Sequence, residues 1–433
     1  MFRSSLLKKW VKPSQRIQGW IIFLLSSFFM FYKNAIEVSC GVMTSDLMKE
    51  FSINATMLGS LAASYFYAYL LMQIPAGFLI DRFGPKKITT AAIMICAAGS
   101  ILFSDSQGIV SASIGRFFTG IGASFAAINC IKLLTNWFQA RQMGFMTGLM
   151  MTIGMMGAVV GQAPLSFLIH HWGWRAAIGL FGFVGFILAF LFFVAVDDVP
   201  SQEDQPVVPQ QMGFVKTVLT VMKNGQGWLL SLYSGLAFAP VSVFGGLWGV
   251  PFIATHYGVD KVTASHSVSL IFIGFAIGAP LSGLISDWLK SRLRVMQVGT
   301  SIALLAILAV LYLPPISKVI LDGLMLLFGA SISGFLVCFT MIREINRPIF
   351  AATAVGFMNA FDAFFGAFSD PLTGYFLDRM WDGKIVDGTF AFTLGAYQKA
   401  LGILPLYLIV SLITLCMIKE TFKKEGDRVE NFP

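Results

Sequence analysis

Lys33 and Glu37 stand four residues apart inside an otherwise apolar run from Ile17 to Met43, with Tyr32 and Asn34 beside them. That spacing puts both side chains on one face of a helix, where they can pair with each other. Both can instead serve a solute, Lys33 holding an anionic group while Glu37 takes a proton or an amine. Both readings stay open at this point. Asn359 and Asp362 share a face in the same way, and Asp370 follows two turns on, just before Pro371. Phe361, Phe364, Phe365 and Phe368 surround them. A carboxyl group among apolar rings is costly in its charged form, so Glu37, Asp362 and Asp370 are the candidates for carrying a coupling proton. The structural alternatives are a hydrogen bond to a neighbouring helix for Asp362 and a helix-terminus role for Asp370.

Arg116 also sits in an apolar run, where an arginine must face the interior with a partner or snorkel to the interface. With Lys33 it is expected to hold the negative end of a solute. Tyr65, Tyr69 and Gln73 recur in a four-residue rhythm and, with Asn34 and Asn359, are candidates for lining the same cavity. The stretch A-F-A-P-V-S-V-F-G-G-L-W-G-V-P-F, from Ala237 to Phe252, reads as a broken helix whose Phe244 and Trp248 are gate candidates.

Other chemistries lack their residues. The cysteines, Cys40, Cys96, Cys130, Cys338 and Cys416, form no paired spacing, so neither a disulfide framework nor a metal site is expected. His170 and His171, followed by Trp172 and Trp174, read as an interfacial aromatic belt. Asn54-Ala-Thr56 is a glycosylation sequon read as a chance match. No phosphate-binding loop or nucleophile motif occurs. No enzyme activity, catalytic residue or cofactor is expected.

The elements that must position these side chains are membrane helices. The chain is 56% apolar and 12% charged, with a mean hydropathy of +0.76, far outside the range of a soluble domain. Crossing a bilayer takes roughly 20 apolar residues. About twelve such stretches recur, near 17–43, 56–80, 88–104, 109–134, 144–169, 176–196, 228–255, 263–286, 295–313, 319–341, 349–376 and 396–418. They are called spans 1 to 12 below. The first is too long and too polar within for a signal peptide. The acidic, proline-rich stretch Asp197 to Gln211 can form neither a span nor a core. The expected organisation is a first bundle over 1–196, a cytoplasmic linker over 197–224 and a second bundle over 225–433, an all-α membrane protein of two pseudo-symmetric six-helix bundles.

A duplication supports that division. G-F-L-I-D-R-F-G-P-K-K at Gly77 to Lys87 has a counterpart G-L-I-S-D at Gly283 to Asp287, and the two aspartates are 287 − 81 = 206 residues apart. Pro164 and Pro371 are separated by 371 − 164 = 207. Lysine and arginine concentrate at one set of loops, which predicts that both termini and the linker are cytoplasmic. The net charge of +8 then follows from topology and calls for no nucleic-acid partner.

These motifs resemble the major facilitator superfamily over essentially the whole chain. Its loop pattern G-x-x-x-D-R-x-G-R-K is matched by Gly77, Asp81, Arg82, Gly84 and Lys86, with Pro85 where an arginine is usual, and more weakly by Gly283 and Asp287. The resemblance implies a conformational latch that favours the outward-open state. The family pattern R-x-x-x-G-x-G is matched by Arg116, Gly120 and Gly122. The exporter pattern G-x-x-x-G-P-x-x-G-G is degraded, keeping Gly157 and Gly161 but carrying Ala158 and Gln162. The function implied is proton-coupled uptake, as a monomer in a bacterial inner membrane, of a small organic anion or zwitterion such as an amino acid, carboxylate or nucleoside. The alternative is a proton antiporter exporting a drug, siderophore or metabolite.

Overall fold

The computed structural model describes residues 15–139, 142–198, 214–347, 350–386 and 388–422. Among them, eleven helical stretches are long and apolar enough to cross a membrane, and one of these, Phe145–Ala195, is 51 residues long. Its backbone turns at Gly173, whose φ of 79° is non-helical, so it makes two passes. The chain therefore crosses twelve times.

Span 1 is Gln15–Glu37, span 2 Ala55–Phe83 and span 3 Pro85–Ser104. Span 4 is built from Ile109–Ala123 and Phe125–Trp137. Span 5 begins with Met143–Val160 and continues into Ala163–Ala195, which past Gly173 becomes span 6. In the second half, span 7 runs Gly225–Pro240, a π-helical Val241–Trp248 and Gly249–Tyr257. Spans 8 and 9 are Lys261–Trp288 and Arg292–Tyr312. Span 10 joins Lys318–Ile332 to Val337–Glu344 through a 3-10 turn. Span 11 is Ala351–Arg379, and span 12 is Leu394–Ala400 with Ile403–Met417.

The duplication is visible in these bounds: span 2 opens at Ala55 and span 8 at Lys261, 261 − 55 = 206 residues later. Local sequence sets the joints. Asn54 accepts a hydrogen bond from Met57 N to start span 2. At its other end Gly84, with φ 85°, turns the chain so that Pro85 enters span 3 at its first position, where a missing N–H costs nothing. Large apolar side chains such as Phe183, Phe190, Leu305 and Val319 are exposed, as lipid-facing positions are.

The G-x-x-x-D loops after spans 2 and 8 lie at one end of the bundle, called here the latch end. At the opposite end the two halves are sealed together. A methyl group added at Gly59 in span 2 would lie 2.4 Å from the Asp370 carbonyl oxygen in span 11. Only glycine permits backbones that close. Span 5 meets the second half through Gln162, whose Nε2 donates to the Gly245 carbonyl at 2.7 Å. The sealed end also carries the helix Thr44–Phe51 and a two-stranded ribbon pairing Ile385 with Phe390. Of the linker, residues 199–213 lie outside the described set, as do Arg141 and the terminal cations before residue 15 and beyond 422; a helix covers Phe214–Met222.

Candidate functional site

A cavity of about 1780 Å³ lies between the halves. It is lined by Lys33, Asn34, Glu37, Tyr65, Tyr69, Gln73 and Arg116 from the first half and by Asn359, Asp362 and Asp370 from the second. Ten residues picked out on four separate spans thus meet on one surface. Gly77, Gly283 and Asp287 line it as well, so it reaches the latch end.

At its closed end Lys33 Nζ lies 2.6 Å from Glu37 Oε2, and the two side chains are only 11% and 13% exposed. The pairing that the four-residue spacing allows is therefore formed. Tyr65 donates its hydroxyl to the same Glu37 oxygen at 3.1 Å. Lys33 also sits over the Tyr69 ring, 5.5 Å from its centroid. Tyr69 is within electrostatic reach of Lys33, Glu37 and Asp362 alike, which brings the span 1 pair and the span 11 carboxyl to one neighbourhood. Asp362 Oδ1 accepts from Ser234 Oγ in span 7 at 2.7 Å.

Arg116 faces the interior, as expected, and its partners are backbone carbonyls. It is almost wholly buried, and its two terminal nitrogens donate to the carbonyls of Ile36 at 2.9 Å and Glu37 at 3.3 Å. Its guanidinium covers the Tyr65 ring at 5.1 Å. Such contacts cap the last turn of span 1, where carbonyls have no partner within the helix. Gly120 and Gly122 in the same motif let span 4 approach closely, since added methyl groups would fall 2.1 Å from the Tyr65 oxygen and 2.3 Å from the Ala92 oxygen.

Phe244 and Trp248 do not line the cavity. Both are fully buried on the sealed side of span 7, where Phe244 meets Phe252 at 5.7 Å between ring centroids and Trp248 donates to the Asp370 carbonyl at 3.3 Å. The π-helical turn rotates the small and polar positions Ser242 and Gly246 onto the cavity instead. Sequence reasoning passed over Ser242 and Ser234, since serine in a broken apolar helix carries no distinctive signal. Six buried polar atoms among the lining residues have no hydrogen-bond partner: Asn34 Nδ2, Gln73 Oε1, Arg116 Nε, Ser242 Oγ, Arg292 Nε and Asp370 Oδ1. Unpaired polar groups in a buried site are costly unless a ligand or water meets them. Among the described residues no group of three or more His, Cys, Asp or Glu could hold a metal ion.

At the latch end the side chain of Asp81 lies outside the described set, and Arg82 is exposed. The Lys86 backbone N–H donates to Asp198 Oδ1 at 2.6 Å and its ammonium is 3.7 Å from Asp197. In the second copy Arg292 binds Asp287 at 2.6 Å and Glu344 at 3.2 Å.

A helical bundle of twelve spans in two repeats, closed over a charged cavity, is the architecture of secondary transporters. The sequence profile of the Major Facilitator Superfamily matches residues 19–369, and the chain belongs to that family. It is an integral multi-pass membrane protein of a family that moves small solutes. Relatives include a probable sulfoacetate transporter of Cupriavidus necator, 22% identical over 86% of this chain and 89% of that one. A probable galactarate/D-glucarate transporter of Escherichia coli is 21% identical over 67% of this chain and 70% of its own length. A chloroplastic ascorbate transporter of Arabidopsis thaliana is 25% identical over 84% and 71%. Among solved structures, the fold is similar to a bacterial homologue of the human lysosomal transporter Spinster in an inward-facing, occupied conformation, with a TM-score of 0.73, 16% identity and coverage of 94% and 97%. The nucleoside transporter NupG aligns with a TM-score of 0.70 at 13% identity, covering 92% of this chain and 99% of that one.

Proposed function

We propose that this chain is a proton-coupled importer of a small organic anion or zwitterion, working by alternating access as a monomer in a bacterial inner membrane with both termini cytoplasmic. The observation that carries the reading is the meeting, on one cavity, of the Lys33–Glu37 pair from span 1 and the Asp362 carboxyl from span 11. Ionisable groups inside a membrane bundle are expensive and mark solute or proton pathways. Lys33 holds the solute's negative end, and Asp362 carries the proton, its one hydrogen bond to Ser234 being compatible with either protonation state. Arg116 orders the end of span 1. With the latch end cytoplasmic, the cavity faces inward and the seal faces outward. Relatives named for sulfoacetate, galactarate/D-glucarate and ascorbate favour a solute bearing an acidic group.

One observation favours the export alternative: Gly157 and Gly161 pack span 5 onto span 1, with added methyl groups 1.9 Å from the Phe31 oxygen and 2.3 Å from the Ala35 oxygen. The remainder of the exporter pattern is missing. A screen of labelled amino acids, carboxylates and nucleosides in proteoliposomes with an imposed pH gradient separates the readings. Import predicts accumulation on the alkaline side; release of preloaded solute against the gradient would establish export.

A further inference from the structure

We infer that the solute is a zwitterion whose ammonium and carboxylate are neighbours, as in an α-amino acid, and that it binds by exchanging partners with the Lys33–Glu37 pair. This rests on the transport reading above and narrows it. In the site, neither charge is available alone: they are 2.6 Å apart and nearly enclosed. Arg116 is anchored at the end of span 1, where two of its N–H groups meet the Ile36 and Glu37 carbonyls, so Lys33 is the cation that pairs with the Glu37 carboxylate. Tyr65 keeps Glu37 in place.

Three kinds of solute meet this pair differently. A plain carboxylate at Lys33 displaces Glu37 from its cation and leaves a buried anion beside another. A plain amine at Glu37 strands Lys33. Breaking one side of an enclosed ion pair is the strongly unfavourable case, because the remaining charge has lost both water and partner. A zwitterion turns one internal pair into two, its carboxylate on Lys33 and its ammonium on Glu37, so every charge keeps an opposite. Asn34 Nδ2, buried next to Lys33 in sequence and unpartnered, supplies a donor for the second carboxylate oxygen.

The test uses the purified full-length protein and three probes: an equimolar pool of the twenty standard L-amino acids, the corresponding 2-hydroxy acids, and the corresponding decarboxylated amines. Thermal stability should rise with the amino acids alone. Lys33→Gln should weaken half-saturation at least about thirtyfold, the scale for truncating one partner of a desolvated pair. Glu37→Gln frees Lys33, so that variant should gain a response to the 2-hydroxy acids that the native protein lacks. A misfolded variant would not show this inversion. A native response to 2-hydroxy acids that equals the amino-acid response, or none to the amino acids, overturns the inference. Gradient-driven uptake of galactarate by the same preparation would then leave the import reading standing, whereas amino-acid binding with efflux in place of uptake would remove import and keep the zwitterion.

Discussion

At the sealed end, carboxylates reach from one half of the molecule to the other; among the described residues at the latch end, the carboxylates are held within their own half. Asp378, at the close of span 11, accepts hydrogen bonds from the backbone of Ala55 at 2.9 Å and Thr56 at 2.8 Å and from the Thr56 hydroxyl. It therefore caps the first turn of span 2 across the interface, where the helix end is positive and its N–H groups are free. Asp46 binds Lys261 of the second half at 2.5 Å. At the other end, Asp198 caps span 3 through Lys86 N. Glu420 caps span 9 through the backbone of Arg292 and Leu293, both at 3.1 Å. Each of these acids follows the last span of its own half, so both repeats secure their latch loop in the same way. Among the described residues, the bonds that hold the halves together are concentrated at the sealed end, and the carboxylate contacts named at the latch end survive a rocking of one half against the other.

The largest expected effect comes from the tightest contact. Gly59→Val should drive spans 2 and 11 apart at the sealed end and lower transport at least about tenfold, since overpacking a close backbone contact typically costs 1–3 kcal/mol or more. Gly77→Val should leave this state intact, because nothing lies within 4 Å of a methyl group added there. Labelling of an introduced cysteine on the sealed side separates the two variants. Equal behaviour would break the comparison between the ends.

Asp378→Asn keeps the size of the side chain but removes the charge and weakens three hydrogen bonds. Charge-assisted bonds contribute about 1.5–3 kcal/mol, so the opened state at this end should gain roughly tenfold or more in population. Distance measurements between spin labels at the sealed ends of spans 2 and 11 check it. Lys261→Gln should act in the same direction but less, below about fivefold, because the pair is partly solvent-exposed and such pairs contribute about 0–1 kcal/mol. If it exceeded Asp378→Asn, the helix-end cap would not be the main fastening.

The smallest effect lies at the latch end. Burial acts to raise the Glu420 pKa, but hydrogen bonds from Ser291 and from the backbone of Phe422, Arg292 and Leu293 outweigh it and hold the carboxyl below its usual range. A depressed pKa contributes stability above the unfolded value and loses it as pH falls through the folded value. Glu420→Gln should therefore lower Tm slightly at neutral pH, and the difference from the native protein should vanish in acid. A constant difference at every pH would show that the charge has no part in the cap.

The twelve spans, their repeat and the charged face of span 1 were legible because apolar length, duplication spacing and a four-residue helical rhythm are local signals. Asp362 stood out for the same reason, as a carboxyl among phenylalanines. The facing of Phe244 and Trp248 was not legible, because it depends on a π-helical turn that shifts the register of span 7. Arg116 was recognisable as needing a partner, yet the partner is a pair of carbonyls 79 and 80 residues away, which carry no sequence mark. Asp378 was missed altogether. At the end of a span it resembles any solvated acid, and its contact lies 322 and 323 residues away.

In the proposed cycle Asp362 carries the coupling proton while the span 1 pair holds the solute. Proton flux into proteoliposomes, followed with an internal pH dye on adding a pool of amino acids and carboxylates, tests it directly in native protein and in Asp362→Asn. Solute-driven acidification is expected in the native protein and its loss in the variant, with solute exchange across the membrane retained. Undiminished acidification in Asp362→Asn would contradict it.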